Sequence, residues 1–462
     1  MKVAGAARRP SALQPQAGGS ARVCAIDARR FHPLDEAEEM YAHLRKHGFV
    51  VVREVADAEA IQKAKTLLWD YLEAHSWRVL EGTEGHVDRN DPNTWWCDNT
   101  WAPNAKDGII YGRGVGQSEF MWHLRLLPRV RQAFAAVWGR VAEDDAQVAC
   151  AAGATSQSQR KPSYALRSMV GSGEAESSPS SARYGLRSTQ VGGKRRMDFA
   201  AMVGKRRRTD SCADSVGDDL LVSFDGAGVF RPWRGREQPT KGGWYHADQN
   251  YWNLGRQGFA CVQGLVTLTD VHEGTGGLVL YPGSHHQFAK LSRLKRVKEE
   301  YEEKPEDYVR FHDKELQRVL GKRKIVPSLV RARAGDMILW DSRVVHSGTP
   351  GWYSGPAEKQ PKRGCANPPA VGGRTFPKLA QEWRESANEL LRVVGYVCMM
   401  PASRIPARRR EHILDVRQRI FKRGWSTTHW PLEPALGAKE EKPKDELEPP
   451  ANAVQRRLIG FR

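Results

Sequence analysis

The chain has 462 residues, 40% of them hydrophobic, with 15 Trp and a formal net charge of +18. That length admits one large domain or two ordinary ones, so core size does not limit the fold. No stretch approaches the roughly 18 uninterrupted apolar residues of a membrane span, so no transmembrane helix is expected. Seven Cys at scattered positions form neither a disulfide framework nor a CxxC pair, which suits a reducing compartment. The expected location is intracellular, cytoplasmic first, with nucleus or organelle as alternatives. The positive charge is local: residues 1–30 carry +5, 150–215 carry +7 and 402–430 carry +6, which accounts for the whole excess. The remaining body is neutral in total and is not expected to bind nucleic acid, a role left to the basic insertion.

Residues 1–30 are rich in Ala, Gly, Ser, Pro and Arg, the composition of a disordered or targeting tail. Helical spacing over 36–47 runs into Gly48, a residue suited to a helix end. Phe49-Val50-Val51-Val52 has strand character. Helical periodicity returns over 58–73, with Ile61, Ala64, Leu67, Leu68 and Leu72 on one face. The cluster Trp95-Trp96 to Trp101 is expected to close a core. Residues 117–138 read as helical with a break at Pro128. Segment 31–140 is thus predicted to be an N-terminal part of helices and a first strand.

Residues 141–217 turn to Ser, Ala, Gly, Arg and Asp with few large aliphatics. Such a segment cannot bury enough apolar area to offset its ordering entropy, which predicts a disordered basic insertion. Its clusters at 194–196 and 205–208 also have the composition of a nuclear-import signal. Strands are predicted over 220–224, 259–270, 276–281 (ending at the Pro282-Gly283 turn), 335–340 and 391–400. A charged, helix-permissive stretch at 288–320 and a Gly/Pro-rich loop at 351–375 separate them. Short strands with such turns favour a barrel or jelly roll over 218–401, mainly β with flanking helices. Cys261 and Cys398 lie in its apolar runs and are expected to be buried thiols. Residues 402–462 read as a basic helical and Pro-rich extension, with Arg417, Arg419, Lys422 and Arg423 on a solvated face. His429 follows in no assignable pattern.

Chemistry concentrates in Trp244-Tyr245-His246-Ala247-Asp248-Gln249-Asn250. In extended backbone, residues i and i+2 point to the same side, so His246 and Asp248 can offer a nitrogen and an oxygen to one ion. His346, after the strand-like Ile338-Leu339-Trp340, is the candidate third ligand. Two His and one carboxylate with the other positions open is the ligand set of non-haem Fe(II) oxygenases. His285 and His286 are adjacent and read as structural.

In this order the motifs resemble the phytanoyl-CoA dioxygenase family of Fe(II)/2-oxoglutarate oxygenases. The resemblance rests on His246-Ala247-Asp248-Gln249, on Gly276-Gly277-Leu278-Val279-Leu280-Tyr281-Pro282-Gly283-Ser284-His285, and on Gly335-Asp336 leading to His346. Gly48-Phe49-Val50-Val51-Val52 followed by a helix matches the family's opening. It covers roughly residues 40–140 and 218–430, and implies a double-stranded β-helix (jelly-roll, cupin-like) fold around one Fe(II). It further implies 2-oxoglutarate as co-substrate, O₂, and ascorbate as an auxiliary reductant. The implied reaction is a dioxygenase hydroxylation of a small organic substrate with release of succinate and CO₂. Alternatives are a nuclear oxygenase acting on a macromolecule and a non-catalytic binding protein on the same fold.

By this resemblance His246, Asp248 and His346 are catalytic and metal-binding. The family places an Arg for the far carboxylate of 2-oxoglutarate shortly beyond the distal His, an interval that here falls in the Gly/Pro-rich loop. Arg392, opening the next strand, is therefore the first choice, with Arg374 and Arg363 in reserve. Ser347, next to the distal His, is the second cofactor-binding candidate. Ala247 stands where relatives often carry Gln, so part of the cofactor contact must differ.

Overall fold

The computed structural model describes residues 23–75, 78–80, 83–96, 101–103, 107–153, 217–232, 243–304, 306–351, 389–436 and 445–461. The chain divides into one compact unit of residues 1–142 with 211–462 and a second of residues 143–210. The expectations for 1–22, for 154–216 and for most of the 351–375 loop lie outside the described residues.

Part of the expected tail is strand. β1 (Cys24–Ile26) and β2 (Arg30–Phe31) each pair in parallel with a later segment, β2 with β3 (Phe49–Val52). Composition alone placed 23–30 in the tail, but a distant partner overrides it. Arg30 donates from Nε and Nη2 to the two carboxylate oxygens of buried Asp336, at 2.8 and 2.6 Å. Such a bidentate pair fixes geometry as well as charge.

Helix α1 (Ala37–His47) buries Met40 and Leu44, one turn apart, and ends at Gly48 with φ 79°. A Cβ there would collide with Val344 and come within 2.6 Å of His285 Nδ1, so both conformation and space demand glycine. His285 and His286 both turn toward this helix end. Their Nε2 atoms lie 2.9 and 3.1 Å from the Arg45 and Lys46 carbonyl oxygens, which can only accept. α2 (Ala58–His75) buries Ala64, Leu68, Tyr71 and Leu72. Trp95 closes the adjoining core, its indole N–H donating to Asp88 O at 2.7 Å. α3 (Glu119–Leu126) is capped by the Ser118 hydroxyl, which accepts from Met121 N. α4 (Pro128–Gly153) begins on Pro128, where a missing N–H costs nothing. It continues past the boundary expected at 141, because the Ala-rich sequence there favours helix.

Strands β4 (Arg78–Leu80) and β5 (Thr83–Gly85) form a hairpin; β6 (Ile109–Ile110) and β7 (Leu220–Val222) join the main sheets. The barrel follows: β8 (Ala227–Phe230), β9 (His246–Ala247), β10 (Val262–Thr267), β11 (Gly276–Leu280), β12 (Val309–Arg310), β13 (Ser328–Val330), β14 (Met337–Asp341), β15 (His346–Pro350) and β16 (Arg392–Pro401). One sheet has the order β2-β3-β14-β10-β16-β8-β6 with β7 also on β16; the other is β1-β13-β11-β15-β9-β12. Along the chain β8, β10, β14 and β16 fall in the first sheet and β9, β11, β13 and β15 in the second. Two facing sheets whose strands β8 to β16 pair antiparallel and are fed alternately by one chain are a double-stranded β-helix.

Both faces of the first sheet are buried, and alternation sorts its residues. Met337 and Leu339 join the core against the helices, while Ile338 and Trp340 join the core between the sheets. Val262 and Val266 divide from Leu265 in the same way, and Val393 and Val397 from Val394.

The C-terminal extension is built into this unit. The helix Arg410–Lys422 does not present Arg417 to solvent: its side chain is fully buried. Its guanidinium donates to the carbonyl oxygens of Ile459, Pro431, Val222 and Leu458 at 2.9, 2.6, 2.7 and 2.8 Å. Burial pushes its pKa down to about 9, which still leaves it charged at neutral pH. The pattern of basic residues suggested a solvated face, but carbonyls from three distant segments supply what water would. Arg417→Met should therefore destabilise the protein by about 3 kcal/mol or more, read as a shift of the urea unfolding midpoint; a change under about 1 kcal/mol would contradict this role.

Burial also lowers the pKa of His43 and His285 from 6.5 to about 4. Between those values the unfolded chain binds more protons than the folded one, so stability falls as pH drops from about 6.5 toward 4. His43 sits among the rings of Phe31, His47 and Phe49, so phenylalanine should fit its place. Urea midpoints at pH 7 and pH 5 should differ less in His43→Phe than in the parent chain.

Candidate metal centre

β9 is only two residues long, yet it is flanked by β15 and β12. His246 pairs across the ladder with His346, which brings the two imidazoles to 4.4 Å between centroids. Asp248 follows the strand and turns its carboxylate back between them. Asp248 Oδ1 lies 3.1 Å from His246 Nε2, and Oδ2 lies 3.0 Å from His346 Nε2. One ligand atom from each of the three residues lies within 4.8 Å of the others.

The opposite ring nitrogens are committed. His246 Nδ1 is 3.1 Å from Trp244 O and His346 Nδ1 is 2.9 Å from Val344 O. A carbonyl accepts, so both Nδ1 atoms carry hydrogen and, in the neutral rings, both Nε2 atoms present lone pairs to a carboxylate. That arrangement needs positive charge between them, supplied by protons or by a cation. Adjacent ligands of a six-coordinate ion with bonds of about 2.1 Å stand about 3.0 Å apart, close to the separations seen. The donor set and its backbone-oriented tautomers therefore fit Fe(II) or a similar divalent ion.

Burial works against charge on Asp248, but the His246 and His346 imidazoles hold its carboxyl well below the usual carboxylate range. Burial likewise disfavours a charged His346, and Asp248 outweighs it, raising the pKa. Gln263, on β10, donates from Nε2 to Asp248 Oδ2 at 2.9 Å. Trp244 stacks on the His246 ring at 4.5 Å with 15° between planes, and Tyr308 meets the same ring edge-on at 6.4 Å.

Arg392 opens β16 on the face of Val394 and Tyr396, which belong to or pack against the core between the sheets. The residue is 3% exposed, its guanidinium lies 4.8 Å from the Phe230 ring, and its Nε has no hydrogen-bond partner among the described residues. A buried planar cation with a free donor suits an incoming carboxylate. Gly228 allows this approach: a Cβ there would lie 3.0 Å from Tyr396 Oη and 3.3 Å from Arg392 Nη1.

Ser347 is not brought to this cluster. It neighbours His346 on β15, so alternation turns it to the other face, and its hydroxyl donates to Gly348 O at 2.8 Å. Arg363 and Arg374 lie outside the described residues. Two contacts escaped the sequence reading. Gln263 was signalled by a polar residue in the apolar run 259–268. His429, with Nε2 3.0 Å from Asp248 O, left no local signal. Cys261 and Cys398 are buried with sulfurs 3.3 Å apart, as free thiols.

Residues 214–351 match the model of the phytanoyl-CoA dioxygenase (PhyH) family. Over 132 residues the chain is 30% identical to Ava biosynthesis cluster protein O of Aspergillus versicolor, an alignment covering 28% of this chain and 41% of that protein. Among solved structures, a putative oxidoreductase from Salmonella typhimurium LT2 is similar at 13% identity and TM-score 0.46, covering 93% of this chain and 85% of that one. The non-heme alpha ketoglutarate dependent carbocyclase SnoK from nogalamycin biosynthesis is similar at 12% identity and TM-score 0.39, covering 81% and 88%.

If Gln263 orients the Asp248 carboxylate for an ion, Gln263→Leu should weaken Mn(II) affinity about 10–100-fold. Calorimetric titration of the intact chain checks this, and affinity within threefold of the parent would remove the role.

Proposed function

We propose that this chain, whose residues 214–351 match the phytanoyl-CoA dioxygenase family model, is an Fe(II)- and 2-oxoglutarate-dependent dioxygenase that hydroxylates a small organic molecule. The observation that carries this reading is the cluster of His246, Asp248 and His346, two buried imidazoles around a half-buried carboxylate, with tautomers set by backbone carbonyls. These three would hold the ion on one face and leave the opposite face for ligands. When bound, Fe(II) supplies the oxidation that uses O₂ and 2-oxoglutarate and yields succinate and CO₂ with the hydroxylated product.

The chain's own residues do the rest. Arg392 would take the far carboxylate of 2-oxoglutarate through its planar fork. Gln263 orients the carboxylate ligand, and Trp244 covers one side of His246, keeping water from the ligand nitrogen's ring. Asp248 fills the position that halogenases of this chemistry leave to halide, which favours hydroxylation. The name of the Aspergillus relative refers to a biosynthetic cluster, which supports a small organic substrate over a macromolecule.

Succinate release from 2-oxoglutarate with Fe(II) and O₂, assayed across a metabolite panel, tests the reading. His246→Ala should abolish it. Arg392→Lys should raise the KM for 2-oxoglutarate roughly 10–100-fold with a smaller effect on kcat, since a charge-assisted bidentate contact is lost. An iron-loaded, folded chain that turns over no 2-oxoglutarate with any substrate would favour the binding-protein alternative.

A further inference from the structure

Asp248 follows the last residue of β9, so the strand does not itself orient its peptide group. Its carbonyl oxygen lies 3.0 Å from His429 Nε2, across 181 positions of sequence. A carbonyl can only accept, so Nε2 carries the hydrogen.

The segment bearing His429 is anchored at both ends of its reach. On the barrel side, Thr427 N donates to Phe224 O at 2.8 Å and Phe224 N donates to Thr427 Oγ1 at 3.0 Å. Gly116 N donates to the Ser426 hydroxyl at 3.0 Å. On the metal-centre side, the Arg256 guanidinium lies 3.2 Å from the Trp430 ring centroid and 2.5 Å from Glu433. Arg256 O in turn accepts from Gln249 Nε2, the side chain next to Asp248, at 2.6 Å. Asp248 is thus gripped at its carboxylate by Gln263 and at its backbone by His429.

We infer that His429 is a positioning residue for the metal centre. It sets the Asp248 peptide plane, and residues 425–436 thereby complete a site whose ligands all lie in the family-matched region. The inference rests on the metal reading of His246, Asp248 and His346.

The test measures Co(II) affinity, the visible Co(II) spectrum and the metal-free melting temperature of the full chain. His429→Phe keeps a ring but removes the donor; His429→Gln keeps an N–H at similar reach. His429→Phe should weaken Co(II) binding about 10–100-fold and alter the spectrum, as loss of outer contacts to ligands does. His429→Gln should stay within about threefold of the parent. Equal loss in both, or a lowered melting temperature with unchanged affinity and spectrum, would assign His429 a purely packing role and overturn the inference. If His429→Phe does not fold, Thr427→Val, which loosens the strap but keeps the ring, should shift the Co(II) spectrum; an unchanged spectrum overturns the inference. Asp248→Ala separates the two levels. If it binds Co(II) like the parent, the metal reading fails and takes the inference with it. If it loses Co(II) while His429→Phe retains it, the metal reading stands and the assignment of His429 falls.

Discussion

Two imidazoles and one carboxylate share a space in which the other ring nitrogens are already committed to backbone carbonyls. In His246 and His346 that commitment takes the same local form, with Nδ1 facing the carbonyl two residues back. The repetition follows from geometry, because two paired strands carry the two residues opposite one another. Once the tautomers are set, the remaining lone pairs converge on Asp248 and demand positive charge. The surroundings serve that demand, since burial strengthens the attraction.

The double-stranded β-helix suits this task because its two sheets do different work. The first sheet is buried on both faces and supplies rigidity, with β10, β14 and β16 as its inner strands. The second carries β9, too short to hold a ligand carboxylate in a ladder but long enough to fix His246. A two-residue strand followed by a turn lets His246 and Asp248 face one point without both being extended. The cost is that Asp248 depends on contacts from outside its own strand. Gln263 reaches it from the opposite sheet, and His429 from a segment outside either sheet's ladder.

What the sequence made legible follows the range of the interaction involved. Period-two alternation exposed the strand over 259–270, an apolar run after a Gly-Asp turn exposed that over 335–340, and the spacing of His246 and Asp248 marked the cluster because those signals are local. The break at Pro128 and the end at Gly48 were readable for the same reason. Ser347 shows how narrow the margin is: a step of one residue along β15 moves a side chain to the other face. Residues 23–30 look like tail by composition, yet β1 finds Ser328–Val330 three hundred positions away. Arg417 sits in a basic run whose pattern suggests solvent and His429 in no assignable pattern, and only their distant carbonyl partners reveal their places. Nonlocal hydrogen bonds to backbone leave no periodicity behind them.

Buried arginines tie distant segments of this chain together, and Arg417 does so for the last segment and the barrel. Arg417 gathers carbonyls from Val222, Pro431, Leu458 and Ile459, while Arg125 donates to Gly116 O and Asp225 O. A guanidinium spreads five donors over a plane, so one side chain can satisfy several chain ends that no ladder reaches. Part of the positive charge that composition assigned to the surface is therefore internal mortar. The family match ends at residue 351, but β16, which pairs with β10, β8 and β7, comes after it, as do Arg392, Arg417 and His429. A chain cut at that boundary would lose an inner strand of the first sheet and expose both of its neighbours. The motif-bearing region and the segment that follows it therefore form one cooperative structure, in which the ligands are local and their placement is not.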